Sequence, residues 1–344
     1  MSNDPEILFE RRGEAGIVTL NRPKALNALT HGMVVAMKAQ LDEWAGDLAI
    51  GTVVVRGAGE RAFCAGGDIR ALAESGRAGT SYALDFWRDE YILNATIKHY
   101  PKPYVALIHG IVMGGGVGVS VHGRYRVADE TAVFAMPETG IGFFPDVGGS
   151  YFLPRCPGET GMYLALTGAR LKVADTRYVG VSTHIVPQAQ WNGLVDRLAA
   201  GDAPEHALAK FDNEIPAPLA EHRAQIDHLF AAESVEAIVV GLDAQSNEWA
   251  GVTAATIRAK SPTSLKLTFR EMRKGKELSF DACMRMEYRM ANRVLAGSDF
   301  YEGVRAVIVD KDNAPKWRPT ALSEVNDKTI EAYFGPLEHR ELKL

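Results

Sequence analysis

Two carboxylates stand in Met136-Pro137-Glu138-Thr139-Gly140-Ile141-Gly142-Phe143-Phe144-Pro145-Asp146-Val147-Gly148-Gly149, a segment otherwise apolar or punctuated by Gly and Pro. An acid among Phe, Ile and Val is desolvated. Its pKa rises, which suits it to acid–base or nucleophilic work. Glu138 and Asp146 are therefore the candidate reactive groups; the alternative is a surface loop in which both face water. Two other segments offer backbone chemistry. In Phe63-Cys64-Ala65-Gly66-Gly67-Asp68-Ile69-Arg70 a strand end meets a double glycine and then a helix start, a turn that can present N–H groups to an oxyanion. In Gly110-Ile111-Val112-Met113-Gly114-Gly115-Gly116-Val117-Gly118 the consecutive glycines serve either as oxyanion donors or as a tight packing device.

Other chemistries fail on spacing. Neither Val119 nor Val121 supplies the glycine of a dinucleotide fingerprint. Gly118-Val119-Ser120-Val121-His122 breaks the nucleophile-elbow pattern at its last position. Cys64 has no histidine near it in sequence and reads as a buried structural thiol. His109 and His122 flank the glycine run, but no HxxxH or HExxH occurs, so no metal is expected.

The elements that must position these groups alternate. Ile17-Val18-Thr19-Leu20, Val53-Val54-Val55 and Pro103-Tyr104-Val105-Ala106-Leu107-Ile108 read as strands, as do residues 124–128 and 132–135. Residues 30–44 carry Met33, Met37, Leu41 and Trp44 at helical spacing behind Thr30 as N-cap. Residues 68–75, 82–99 and 114–122 also read as helices. The pattern is α/β with helices packed on sheet faces. From about Gln188 the strand signals fade, and residues 235–242, 254–260, 265–274 and 280–295 have helical periodicity. Domains are expected at 1–200 and 201–344, with the Ala-, Asp- and Pro-rich stretch 200–219 as the junction.

The chain has 344 residues, 47% hydrophobic and 24% charged, the profile of a globular protein rather than a disordered or disulfide-stapled one. A net charge of −5 gives no field for nucleic acid, so an anionic ligand must be met by local cations or backbone N–H groups. No run of about 18 apolar residues is present, and no membrane partner is expected. Three scattered cysteines and an N-terminus without an apolar region lead to the expectation of a cytoplasmic location.

Taken in order, Asn21-Arg22-Pro23-Lys24-Ala25-Leu26-Asn27-Ala28-Leu29, then the AFCAGGDIR, GIVMGGGVG and PETGIGFFPDVGG segments resemble the crotonase (enoyl-CoA hydratase/isomerase) superfamily. The resemblance covers residues 17–170, and residues 299–305 and 310–317 fit too. It implies a crotonase-like (ClpP/crotonase) spiral of ββα units with a helical C-terminal region. It also implies backbone N–H groups of Gly67 and Gly115 around an acyl-CoA thioester oxygen. Superfamily hydratases use two glutamates. One matches Glu138, and the other matches Gly118, which has no side chain. Asp146 stands where hydratases generally carry Gly. The acid pair is similar to that of the superfamily's thioester hydrolases acting on a short 3-hydroxyacyl chain. Glu138 is then a nucleophile or a general base on water, and Asp146 holds the substrate hydroxyl or orients the water. Glu90 matches a substrate-contacting position. Arg22, Lys24 and Leu26, and the segment Ala65, Gly67, Asp68 and Ile69, match segments that meet coenzyme A, which is part of the substrate; no separate cofactor is implied. Phe143 and Phe144 could limit acyl length, and Lys266 and Arg270 could meet phosphate or remain solvated charges. A dienoyl-CoA isomerase carrying the same acid pair and a non-catalytic acyl-CoA binder remain alternatives. The resemblance further implies a homo-oligomer, a trimer or hexamer.

Overall fold

The apolar runs that read as strands pair into one mixed sheet. The structure is a computed structural model describing residues 4–211 and 215–344. Six strands stand in the order Ile7–Arg12, Ala15–Leu20, Thr52–Gly57, Tyr104–Ile108, Tyr125–Ala128 and His184–Ile185. The first two form an antiparallel hairpin, and every later pairing is parallel. Tyr104–Ile108 is buried at every position, as a parallel strand covered on both faces should be. Four shorter strands, Ala62–Cys64, Ile111–Met113, Val133–Ala135 and Leu171–Lys172, form a second sheet in that order.

The chain visits the two sheets in turn. Thr52–Gly57 is followed by Ala62–Cys64 and helix Ile69–Ala78. Tyr104–Ile108 is followed by Ile111–Met113 and helix Gly115–Gly118, and Tyr125–Ala128 by Val133–Ala135 and the 3₁₀ turn Glu138–Ile141. This is the expected spiral of ββα units, repeated in backbone course without a repeat in sequence. Gly67, Gly115 and Glu138 all fall just past the short strand of their repeat.

One expected helix is cut short. Residues 114–122 form a helix only over Gly115–Gly118, and the rest is turn. Glycine is a poor helix former, and the Ser120 hydroxyl donates back to the carbonyls of Gly116 (2.8 Å) and Val117 (3.1 Å). The edge strand Ile7–Arg12 carries Glu10, Arg11 and Arg12 and has no unbroken apolar run to announce it.

Two compact units divide the chain. The first comprises Met1–Asp68, Asp89–Phe134 and Arg170–Ala220, and the second Ile69–Arg88, Ala135–Ala169 and Glu221–Leu344. In the first, Val54, Val105, Leu107 and Val127 of the main sheet pack with Trp191, Leu194 and Leu198 of helix Trp191–Ala199. Leu208 and Phe211 join that core. The stretch expected as a junction, 200–219, thus carries core residues; Asp212, Asn213 and Glu214 within it, like Met1, Ser2 and Asn3, lie outside the described residues.

The second unit's long helices begin where the sequence supplies caps. Ser234, Asn247, Ser261 and Ser279 each accept a hydrogen bond from the backbone N–H three residues on. The helices Val235–Asp243, Glu248–Arg258, Pro262–Gly275 and Phe280–Val294 follow, and no strand occurs after Ile185 among the described residues. The core of this unit holds two carboxyls, Glu271 and Glu287, both fully buried. Burial pushes the Glu271 carboxyl well above the usual range, and the charges of Glu287, Asp146 and Glu138 push it the same way. Neither of its oxygens has a hydrogen-bond partner among the described residues.

Backbone meets backbone where the turn Glu138–Ile141 lies against helix Asp299–Val304. A Cβ on Gly303 would stand 2.3 Å from the Ile141 carbonyl carbon, and one on Gly142, at φ +72°, 2.2 Å from the Asp299 carbonyl oxygen. Trp87 stacks on Phe143 at 5.1 Å between ring centroids, and Phe143 on Phe144 at 4.4 Å, with Phe300 beside them. Two predictions follow from this packing. Gly303→Ala pushes the helix off the turn and lowers stability by about 1–3 kcal/mol in a denaturant melt. Glu271 binds a proton more tightly folded than unfolded, so it makes stability fall as pH rises above the unfolded carboxyl value. The melting temperature of Glu271→Gln relative to the parent should therefore climb steadily from pH 5 to pH 8; a constant difference would show Glu271 to be ionised in the fold.

Candidate active site

In the first unit two glycine turns come close together. Leu29 bridges Gly67 in parallel: its N–H donates to the Gly66 carbonyl at 2.8 Å and its carbonyl accepts from Asp68 N–H at 3.0 Å. That pattern leaves the N–H of Gly67 itself turned away from Leu29. Gly115 opens its helix, where an N–H has no intrahelical acceptor. Gly114 before it adopts φ +47°, ψ −123°, which a side chain would oppose. A Cβ on Gly115 would lie 3.2 Å from the Gly67 nitrogen and 2.5 Å from Glu90 Oε1. Glycine at 115 therefore makes room for an amide and a carboxylate together, while a Cβ on Gly116 would strike the Cys64 carbonyl oxygen at 2.2 Å, a packing role. Glu90 is 2% exposed, on helix Tyr82–Lys98, and is no solvated helix-face acid. The Cys64 thiol is pushed up to about 12 by burial, which fits its structural reading.

The segments matched to coenzyme A lie on neighbouring turns of this unit. Leu26 and Asn27 have φ of +52° and +56°. The buried Asn27 amide donates to the carbonyls of Ala58 (2.9 Å) and Ala62 (2.8 Å), and its oxygen accepts from Arg22 N–H at 2.9 Å. The N–H of Ala65 donates to the Leu26 carbonyl at 3.0 Å. This brings Lys24, Leu26, Ala65, Gly67 and Asp68 onto joined turns; Ile69 starts the helix assigned to the second unit. Arg22 is spent on Glu6 (3.0 Å) and Asp68 (3.4 Å), whereas Lys24 is exposed and makes no ion pair among the described residues.

In the second unit Glu138 and Asp146 are each 6% exposed, so the water-facing alternative is excluded. Burial, then the charge of Asp146, raises the Glu138 carboxyl well above its ordinary value. Its Oε2 has no hydrogen-bond partner among the described residues. Asp146 is held by its loop: the Gly149 N–H donates to its carbonyl at 2.8 Å. Lys266 and Arg270 are committed to Glu236 (2.7 Å) and Glu331 (3.2 Å), so these two are structural ion pairs.

Three residues of this unit were not singled out from sequence. Lys260 is half-buried; a Cβ on Gly140 would lie 3.2 Å from its Nζ, and its charge opposes the rise at Glu138. Glu287 and Glu271 back the loop from within. Burial raises Glu287 to about 8 against the pull of the donors it accepts from Ser150 and Gly148. The available signal was their place on otherwise apolar helix faces: Glu287 among Cys283, Met284, Met290 and Ala291, and Glu271 among Leu267, Thr268, Met272 and Gly275.

The family model described as Enoyl-CoA hydratase/isomerase matches residues 15–334. A curated relative from Danio rerio, named 3-hydroxyisobutyryl-CoA hydrolase, mitochondrial, is 51% identical over 98% of this chain and 92% of its own. The protein of that name from Xenopus tropicalis is 49% identical over 99% of this chain and 91% of its own. A crystal structure titled as a carnitinyl-CoA dehydratase from Mycobacterium thermoresistibile has a TM-score of 0.94 at 44% identity, covering 99% of each chain. The word mitochondrial in the names of these relatives overturns the expected cytoplasmic location. Unpaired thiols ask only for a reducing compartment, and the cytosol is one of several. The chain belongs to the enoyl-CoA hydratase/isomerase family, and within it groups with the 3-hydroxyisobutyryl-CoA hydrolases.

Proposed function

We propose that the protein cleaves the thioester of 3-hydroxyisobutyryl-CoA to 3-hydroxyisobutyrate and free CoA, a step of valine breakdown. The observation that carries this reading is Glu138: a buried carboxyl beside a second acid, with one oxygen uncommitted. Charge builds on the thioester oxygen as its carbonyl is attacked, and the amides of Gly67 and Gly115 are assigned to receive it. One such donor is typically worth about 2.7–4 kcal/mol of barrier. Glu138 then either attacks the carbonyl carbon, giving a mixed anhydride as the thiolate leaves, which water hydrolyses to free the acid and restore Glu138, or takes a proton from water that attacks the carbonyl as the thiolate leaves. Asp146 holds the substrate's 3-hydroxyl or orients the hydrolytic water, and Glu90 contacts the acyl part. Lys24, Leu26, Ala65, Gly67, Asp68 and Ile69 receive the coenzyme A arm, with Lys24 the cation still available to its phosphates. The working assembly is read as a homo-oligomer, trimer or hexamer.

Hydration is disfavoured because Gly118 offers no acid where superfamily hydratases place their second glutamate. A dienoyl-CoA isomerase would share the Glu138–Asp146 pair but release no thiol. Following thiol release from 3-hydroxyisobutyryl-CoA, with an enoyl-CoA and a dienoyl-CoA as controls, separates these chemistries. Glu138→Gln should slow thiol release roughly 10²- to 10⁴-fold; near-parental turnover would sink the assignment. The reaction needs Glu138 ionised, and its pKa is raised, so kcat/KM should fall with acidification at a pH above the ordinary glutamate value of 4.5. Asp146→Asn removes a like charge, so the acid limb of its residual activity should move to lower pH.

A further inference from the structure

The loop bearing Asp146 is held in a conformation its own residues resist. Val147 sits at φ +51°, a region that β-branched residues avoid, and Gly148 follows at φ +86°. Such a turn persists only where its surroundings over-determine it. Among the surroundings one side chain bonds the turn at two places. Glu287, from helix Phe280–Val294, accepts the Gly148 N–H on Oε2 at 2.8 Å. Its Oε1 accepts the Ser150 N–H at 3.0 Å and the Ser150 hydroxyl at 2.5 Å. The carboxyl is fully buried and makes no ion pair among the described residues. Its three hydrogen bonds all go to the residues just past Val147. A buried acid without a cation is a costly way to anchor an ordinary loop. Its two oxygens, however, let it take donors from both ends of a tight turn.

We propose that Glu287 is a positioning residue for thioester hydrolysis: by clamping Gly148 and Ser150 it keeps Val147 in the left-handed region and so fixes the Asp146 carboxylate beside Glu138. This rests on the proposed role of Asp146 in the reaction. Glutamine at 287 can still offer its oxygen to Ser150, but it turns an NH₂ donor toward the Gly148 N–H, so the clamp opens at one end. Ser150→Ala removes the hydroxyl's hydrogen bond to Glu287 and leaves the buried carboxyl itself in place, and it serves where Glu287→Gln folds poorly.

The test is a double-mutant cycle on thiol release from 3-hydroxyisobutyryl-CoA, using the full chain as parent, Glu287→Gln, Asp146→Asn and the double variant, with thermal melts to confirm folding. Misplacing a reacting group by about an ångström costs up to roughly a hundredfold, so Glu287→Gln should lower kcat about ten- to a hundredfold. KM should move less than about twofold. In the Asp146→Asn background the same change should cost nothing further. Val147→Gly, which relieves the strained turn, should return part of the kcat lost in Glu287→Gln, and Ser150→Ala should show a smaller loss of the same kind. An equal loss from Glu287→Gln with and without Asp146 overturns the proposal, as does an unchanged kcat in Glu287→Gln. A different result, Asp146→Asn turning over at the parental rate, overturns the role given to Asp146 itself.

Discussion

A carboxylate taken out of water gives up hydration that only donors aimed at it, or a proton, can replace. The second unit imposes this on four acids, Glu138, Asp146, Glu271 and Glu287, none more than 6% exposed. They answer it differently. Glu287 takes three donors from one turn. Glu271 takes none, and burial raises its carboxyl well above the usual range. Glu138 has one oxygen unengaged, and Lys260 is the cation whose charge favours its ionised form. An acid kept dry yet only partly satisfied is a strong base or nucleophile once ionised. The burial that would be a defect in a structural residue is, on the proposed mechanism, the source of reactivity.

Precision in both units comes from backbone standing where side chains ordinarily would. Glycine at 115 lets the Glu90 carboxylate and the Gly67 amide approach a point that any other residue would fill. Glycines at 142 and 303 let the turn carrying Glu138 rest on helix Asp299–Val304 with no side chain between. Backbone contacts of this kind have few rotatable bonds to absorb displacement, so the groups they carry are held more tightly than side chains on an open loop. The segment 299–305, far from Glu138 in sequence, thus supports the turn that carries it.

Much of this was legible in the residues. The strands followed from short apolar runs, Thr30 marked its helix by capping chemistry, and Glu138 and Asp146 stood out as charges in an apolar setting. Glu271 and Glu287 were not legible by the same rule, because their helices are rich in Arg, Lys and Glu and an acid there looks solvated. The signal that remained was periodicity, each acid falling on an otherwise apolar face of its helix, and the packing of that face shows it to be buried. The short strand Ile111–Met113 was hidden for a related reason: three residues beside a glycine run carry too little periodicity, and pairing with Ala62–Cys64 makes them a strand. The cytoplasmic expectation failed because free thiols report redox state and not an address.

The same scaffold supports more than one reaction at the acyl-CoA carbonyl, so resemblance of fold alone cannot choose among them. The choice falls to the placement of acids. Hydration needs one group to deliver a proton and another to activate water across a double bond. Hydrolysis needs a single carboxylate at the carbonyl and a partner to fix substrate or water. Gly118 has no side chain for the first arrangement, and the Asp146 loop, strained at Val147 and bonded to Glu287, is the one proposed to supply the second. On that reasoning the proposed chemistry requires more than the presence of an aspartate at position 146. A second carboxylate beside Glu138 raises the cost of ionising it, and that carboxylate is useful only if its direction is fixed. A rigid turn with a buried acceptor beneath it meets that need, whereas a mobile loop would let the two acids part and lose the effect.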